Sequence, residues 1–209
     1  MYRTYKDMPR IELPSKQEIR ISDSTIRDGA QMPGIVMLKK HKLTIYEYLH
    51  KIGIEKLECF LYNDRDKVVA REMLDIGYEI PEVTAWSRAN KSDIDLVLEM
   101  DGIKETGILM SISDAHIFDK IGFKSRDDAV NRYLEVMDYA IDHGLRVRCH
   151  LEDITRSDFE GFILPFVEDI ISRDKNSIIR VCDTLGLGVP LYDVDLPYSI
   201  PKIIDALSK

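Results

Sequence analysis

The stretch "TGILMSISDAHIFDKIGFKSRDDAVNRYLEVMDYAIDHGLRVRCHL", Thr106 to Leu151, decides the fold. It opens with "TGILMSI", an apolar run of strand length, and closes with "RVRCHL", Arg146 to Leu151, another of the same kind. Between them, "RDDAVNRYLEVMDYAIDHG" puts Ala129, Tyr133, Val136, Met137, Ala140 and Ile141 at helical spacing and stops at Gly144. Ser125 stands where an N-cap belongs, with Asp127 and Asp128 in the first turn. A strand, a helix and a strand in this order argue for parallel pairing.

The alternation continues outward from that unit. Short apolar runs recur as "IRIS" (Ile19 to Ser22), "KLECFL" (Lys56 to Leu61), "EVTAW" (Glu82 to Trp86) and "SIIRVCD" (Ser177 to Asp183). "MLKKHKLTIYEYLHKIG" puts Leu38, Ile45, Leu49 and Ile52 on roughly one helical face and stops at Gly53. "SDFEGFILPFVEDIISR" reads as a helix weakened in its middle by Pro165, and "SIPKIIDALSK" as a last helix with Pro201 near its start. We expect an N-terminal arm over residues 1–18, carrying Pro9 and Pro14, and six βα units over 19–209. No G-x-G-x-x-G follows a strand, so the dinucleotide-binding form of α/β has no support. The other common form is the (β/α)8 TIM barrel, which takes about 250 residues. The expected fold is therefore α/β, an incomplete TIM barrel that stops before its seventh strand.

Composition narrows the function. With 209 residues and 44% apolar content, the chain can bury a sizeable core. A net charge of -8 argues against nucleic acid as the main partner, because phosphate neutralisation needs a basic face. The longest apolar runs are too short to span a bilayer, and "MYRTYKDMPR" lacks the apolar stretch of a signal peptide, so no membrane partner is expected. Cys59, Cys149 and Cys182 are few, odd in number and far apart. That usage suggests buried thiols in a reducing compartment, and a cytoplasmic protein.

In a barrel of this kind, chemistry sits where strands end and loops begin. The first strand ends in "SDSTIRDGAQ", and the second carries Glu58 inside an apolar run. The fourth leads into "SISDAH", with Ser111, Ser113 and His116. The fifth ends in "CHLEDITR", with His150, Glu152 and Asp153, and the sixth in "CDTLG", with Asp183 and Thr184. Each also has a plain structural reading. Asp183 and Thr184 before Gly186 can make a turn, His150 can be a satisfied buried histidine, and Glu58 can pair with an arginine. Their joint appearance at strand ends points to a site, since buried charge must be paired or used.

"DSTIRDGAQMPG" is similar to the D-[ST]-T-[LI]-R-[DE]-G-x-Q-x-P-G opening of the isopropylmalate, homocitrate and citramalate synthases. These belong to a wider metallolyase barrel family with hydroxymethylglutaryl-CoA lyase and the pyruvate carboxyltransferase domain. "SDAHIFDKIGFKSRDDAV", "LEDITRSD" and "CDTLGLGVP" resemble three further family segments, in the family's order. The resemblance implies that Asp28 binds a divalent metal (Mg²⁺, Mn²⁺ or Zn²⁺). It implies that Arg27 holds the keto oxygen of a 2-keto acid, with Gln31 at the edge of the site. It further implies that His116 lines the substrate pocket, that Glu152 takes part in proton transfer and that Thr184 contacts the keto acid. Glu58 joins the substrate-binding set. The implied reaction is a Claisen-type condensation with acetyl-CoA as co-substrate, in an enzyme of amino-acid biosynthesis expected to be a homodimer. The alternatives are a lyase or aldolase of the same family, and a non-catalytic barrel fragment that needs a partner chain.

Two departures from the family pattern bear on these expectations. Ala30 replaces a frequent glutamate. His150 stands where many members have serine, which suggests contact with the distal group of the keto acid, such as a second carboxylate. The family also completes its metal site with an H-x-H pair, and His41, His50, His116, His143 and His150 contain no such pair. The expectation is a fragment or one part of a split protein, inactive alone.

Overall fold

The computed structural model describes residues 19–208. The expected arm over 1–18 lies outside the described residues. Among the described residues six strands and six α-helices alternate. They are β1 (Ser22–Asp23), α1 (Lys39–Ile52), β2 (Lys56–Cys59), α2 (Asp64–Ile76), β3 (Glu82–Arg88), α3 (Lys91–Leu98), β4 (Glu105–Ser111), α4 (Arg126–Asp142), β5 (Arg146–Glu152), α5 (Leu164–Arg173), β6 (Ile178–Cys182) and α6 (Ile200–Leu207). The sheet order is β1-β2-β3-β4-β5-β6, with every pair parallel. Six parallel strands in sequence order, each followed by a helix, make an incomplete (β/α)8 barrel.

Strand alternation divides this sheet into two faces. Leu57, Val83, Ala85, Ile108, Met110, Val147, Cys149 and Leu151 join one apolar core with the helices. On α4 that core takes Ala129, Tyr133, Val136, Met137 and Ala140, the stripe read from the sequence, with Ile141 at its margin. Side-chain caps start the helices: Asn63, Asn90 and Ser125 accept from the amides of Asp66, Asp93 and Asp128 at 3.0, 2.8 and 3.0 Å. Cys59 and Cys149 are buried and Cys182 is half-buried, all free, and burial pushes the first two thiols up to about 12.

Three expectations need correction. The first strand forms at Ser22–Asp23, later than Ile19 to Ser22, because its pairing with β2 starts at Lys56. On α1, Leu38 and Ile52 are exposed, and Tyr46 and Leu49 are buried. Leu38 precedes the first helical residue, and Ile52 ends the helix beside the left-handed turn at Gly53, so neither faces the core. The region around Pro165 is not one helix. A wide π-helical turn, Phe159–Ile163, leads into α5, and Pro165 falls in the first turn of α5.

Candidate active site

The interior face of the sheet carries charge at every level. Glu58 of β2 is buried and receives Arg27 from above, through Nε at 3.0 Å and an Nη at 2.9 Å. Its other oxygen lies 2.9 Å from Arg148 of β5. Arg148 is fully buried, 3.1 Å from Glu105, and donates to the Thr84 hydroxyl and the Ala85 carbonyl at 3.0 and 3.1 Å. Glu105 in turn holds Lys56 and Arg146. Burial pushes the Glu105 carboxyl up, but Lys56, Arg148 and Arg146 overcome it and hold it below the usual range. Strands β2, β4 and β5 are thus tied by ion pairs inside the barrel. The guanidinium of Arg27 also lies over the rings of Trp86 and Phe60, at 5.2 and 5.9 Å from their centroids. It is held on one side by a carboxylate and on the other by aromatic faces.

His150 lies one step above Arg148 on the same face of β5. Its ring crosses Gly107 of β4 so closely that a Cβ there would sit 2.5 Å from Nε2. That nitrogen is buried, lacks a hydrogen-bond partner, and lies 3.7 Å from Glu58. Burial, then the nearby charges of Arg148, Arg180 and Arg27, holds the His150 pKa well below the ordinary histidine value, so the ring is neutral at pH 7.

A second cluster occupies the strand ends. Glu152, the last residue of β5, accepts from the Ser111 hydroxyl and from Lys120 Nζ, at 3.0 and 3.1 Å for its two oxygens. His116 Nδ1 lies 3.1 Å from the same carboxylate. Burial raises Glu152, while Ser111, Lys120 and His116 outweigh burial and keep it below the usual glutamate range. The carboxylate is ionised at neutral pH. Asp153 follows in a left-handed conformation, φ 69°, rare for a residue with a side chain. It is fully buried, accepts from Ser113 at 2.5 Å and from Arg156 at 2.9 and 3.0 Å, and donates its amide to the Thr184 hydroxyl at 2.9 Å. The Thr184 hydroxyl in turn donates to the Cys182 carbonyl through a long bond of 3.4 Å. Asp153 therefore joins the ends of β4, β5 and β6 in one frame.

The eight residues expected at the site fall into three places. Arg27, Glu58 and His150 form the interior group. Glu152, His116 and Thr184 belong to the cluster at the strand ends, Thr184 through Asp153. Asp28 and Gln31 sit on the short turn after β1, and the Asp28 side chain is 64% exposed. No ion pair or hydrogen bond among the described residues joins the first two groups. Glu58 lies below the rim with both oxygens turned to arginines, so it faces its counter-ions instead of opening to the mouth. Asp183 takes the turn reading: it accepts from Thr155 and from the amides of Leu187 and Gly188. Ser113 and Asp153 were read as strand-end residues, whereas Arg148 and Lys120 were not singled out in advance. The signal for Arg148 was present, since Arg146, Arg148, His150 and Glu152 alternate with apolar residues along one strand.

Residues 18–196 match the HMGL-like family. The chain belongs to the HMGL-like family. It is 44% identical over 220 residues to the citrate (Re)-synthase of Clostridium kluyveri, covering 97% of this chain and 48% of that protein. It is 38% identical to the 2-phosphinomethylmalate synthase of Streptomyces hygroscopicus, covering 99% of this chain and 49% of that one. The chain thus spans about half the length of these curated relatives. The crystal structure of a lyase, the hydroxymethylglutaryl-CoA lyase of Brucella melitensis, superimposes with a TM-score of 0.69 at 16% identity over 90% of this chain and 67% of that one, a likeness of fold. Three donors are the usual protein set for a catalytic metal. Among the described residues no group of three His, Cys, Asp or Glu side chains is placed to hold an ion, and Asp28 offers one carboxylate. The described residues do not fit a metal centre by themselves. Among the described residues, no helix is long and apolar enough to cross a membrane.

Proposed function

We propose that this chain carries the keto-acid side of a site that condenses a 2-keto acid with the acetyl group of acetyl-CoA. The observation that carries the reading is the pairing, inside one barrel, of a guanidinium held in place by Glu58 and aromatic rings with an ionised carboxylate, Glu152, at the strand ends. The synthase names of the relatives at 38–44% identity support condensation over cleavage.

In this reading Arg27 sits against the keto oxygen of the substrate. Negative charge grows on that oxygen as the new carbon–carbon bond forms, and a cation that does not have to reorganise stabilises it. Glu152 takes a proton from the methyl carbon of the acetyl thioester, and the resulting enolate carbon attacks the keto carbon. The alkoxide so formed is protonated, and water then cleaves the thioester, releasing the thiol of coenzyme A. Thr184, whose hydroxyl makes only a long 3.4 Å bond to the Cys182 carbonyl, turns its proton to the substrate carboxylate. His116 lines the same pocket and Gln31 its edge. His150, neutral and with a free buried nitrogen, contacts the distal group of the keto acid, such as a second carboxylate. A divalent ion remains part of this proposal, with Asp28 as one ligand and the others outside the described residues. A homodimer and a reducing, cytoplasmic setting complete it.

The test is thiol release from acetyl-CoA with a panel of 2-keto acids and Mg²⁺ or Mn²⁺. It is run on this chain and on a protein that carries it at the length of its relatives. Keto-acid-dependent release, lost in Arg27→Ala and Glu152→Ala, is expected in at least the longer protein. No release from either sinks the reading. An unchanged ranking of keto acids in His150→Ser removes His150 from the specificity pocket.

A further inference from the structure

Three groups hold Glu152, and they differ in freedom: the Ser111 hydroxyl and Lys120 donate to it, and the His116 ring stands 3.1 Å away. Ser111 is buried on β4, and Tyr133 of α4 locks it from behind by donating to its carbonyl at 2.9 Å. His116 is mostly buried, and its amide is tied to the Ser113 carbonyl at 2.9 Å. Lys120 is different. It lies one turn beyond His116 in the segment Ala115–Ile121, its side chain is 49% exposed, and it reaches both Glu152 oxygens at 3.0 and 3.1 Å. A lysine is a point charge on a flexible stem. Of the three, it alone can leave the carboxylate without unpacking a strand.

The position of Lys120 conflicts with the task proposed for Glu152. A carboxylate that accepts from a hydroxyl and an ammonium is a poor proton acceptor, because each stabilises its charged form. A base must be relieved of one of them when substrate arrives. We propose that Lys120 is a mobile counter-ion of Glu152, held on the carboxylate when no anion is bound and drawn off it by the carboxylate of an incoming substrate. The inference rests on Glu152 as the proton-transfer residue and adds to it a coupling: the carboxylate of the substrate competes for one ammonium. Lys120 is then a positioning residue, which couples the arrival of substrate to the basicity of Glu152.

The charged and titratable groups facing Glu152 are few. His116 and Lys120 come from the turn after β4, Asp153 follows in the chain, Cys182 lies opposite on β6, and Tyr133 stands behind Ser111. With Lys120 gone, a group that helps to outweigh burial is lost, so the Glu152 carboxyl rises.

The experiment is an NMR titration of Glu152 in the full chain, with ¹³C in the glutamate side chains and Glu152 assigned through Glu152→Gln. In Lys120→Met the midpoint moves up by about half a unit or more, and in Lys120→Arg it stays low. Pyruvate is the anion probe, against chloride at equal ionic strength. It raises the midpoint in the parent chain and leaves that of Lys120→Met in place. An unmoved midpoint in Lys120→Met overturns the proposal, and so does a pyruvate shift of equal size in both proteins. Lys120→Gln repeats the test if the methionine variant fails to fold, and failure of both makes Lys120 a structural residue. Since the readout needs no turnover, a Lys120-dependent pyruvate shift in a protein that releases no thiol would keep the counter-ion and remove the condensation.

Discussion

Arg148 and Glu152 stand four residues apart on one face of one strand, and the environments they meet are opposite. Arg148 is fully buried, has Glu58 and Glu105 on its two sides, and donates to Thr84 and Ala85. Glu152 lies at the strand end, held in part by a lysine that is half in solvent. A charge deep in a barrel is usable only as a fixed partner, because moving it exposes an unpaired ion to a poor dielectric. A charge at the mouth can exchange partners with a ligand. Depth along β5, and not residue type, separates scaffold from chemistry.

Breaking the deep group should have the largest effect. Arg148→Met removes the cation between two buried carboxylates. Stability should fall by about 3–5 kcal/mol, the scale for a buried pair that loses one member. That is a large part of the stability of a domain, so urea unfolding should show a partly unfolded chain in buffer. A loss under about 1 kcal/mol would mean that water reaches Glu58 and Glu105, and the depth argument fails. Next in size is Gly107→Ala. The added methyl would sit 2.5 Å from His150 Nε2, so the ring must move. Overpacking of this kind costs about 1–3 kcal/mol. A crystal structure of the variant should show His150 turned away from Gly107, and an unmoved ring with unchanged stability would refute the close packing.

The alternation of strands and helices needed only local patterns, and it located all six strands to within a few residues. Ser125 as the cap of α4 and the apolar stripe of that helix were equally readable, because cap and stripe are set by residues close in the chain. The site was readable as a list of residues at strand ends. Its division into an interior group, a strand-end cluster and the turn after β1 was not, because it depends on how far each strand is shifted against its neighbour. Glu58 finds Arg148 ninety residues on only through the β2–β3–β4–β5 register. Lys120 reaches Glu152 from 32 residues away across the end of β4. The left-handed backbone at Asp153 left no mark in the sequence, since aspartate tolerates that region without requiring it. Leu38 and Ile52 misled for the opposite reason. Helical spacing says which residues share a face but not where the helix begins and ends.

The mouth should announce itself in acid. Glu152 and Asp153 are both held below the ordinary carboxylate range in the folded chain, by hydrogen bonds and cations that outweigh burial. As pH falls, the unfolded chain takes up these two protons first. The stability they contribute is therefore complete above the ordinary carboxylate pKa and is lost as pH drops through their folded values. Urea midpoints should decline below about pH 5, and Glu152→Gln should flatten that decline relative to the parent. An identical slope in the variant would mean that Glu152 is not stabilised as a carboxylate.

The smallest effect belongs to pairs that resemble the deep ones in geometry alone. Lys91 and Glu135 meet at 2.7 Å across α3 and α4, closer than Arg148 and Glu58 at 2.9 Å. Both side chains of the surface pair are about half exposed, 46% and 55%. Coulomb energy at a given distance falls with the effective dielectric, and salt screens what is left. Lys91→Ala should therefore leave the thermal midpoint within measurement error, at low salt and at high. The two pairs have nearly equal distances, so depth, together with the second carboxylate and the two hydrogen bonds that Arg148 also serves, must account for the difference. A clear loss in Lys91→Ala that disappears with added salt would show that distance outweighs depth in this barrel, and the separation of interior from mouth would have to be drawn elsewhere.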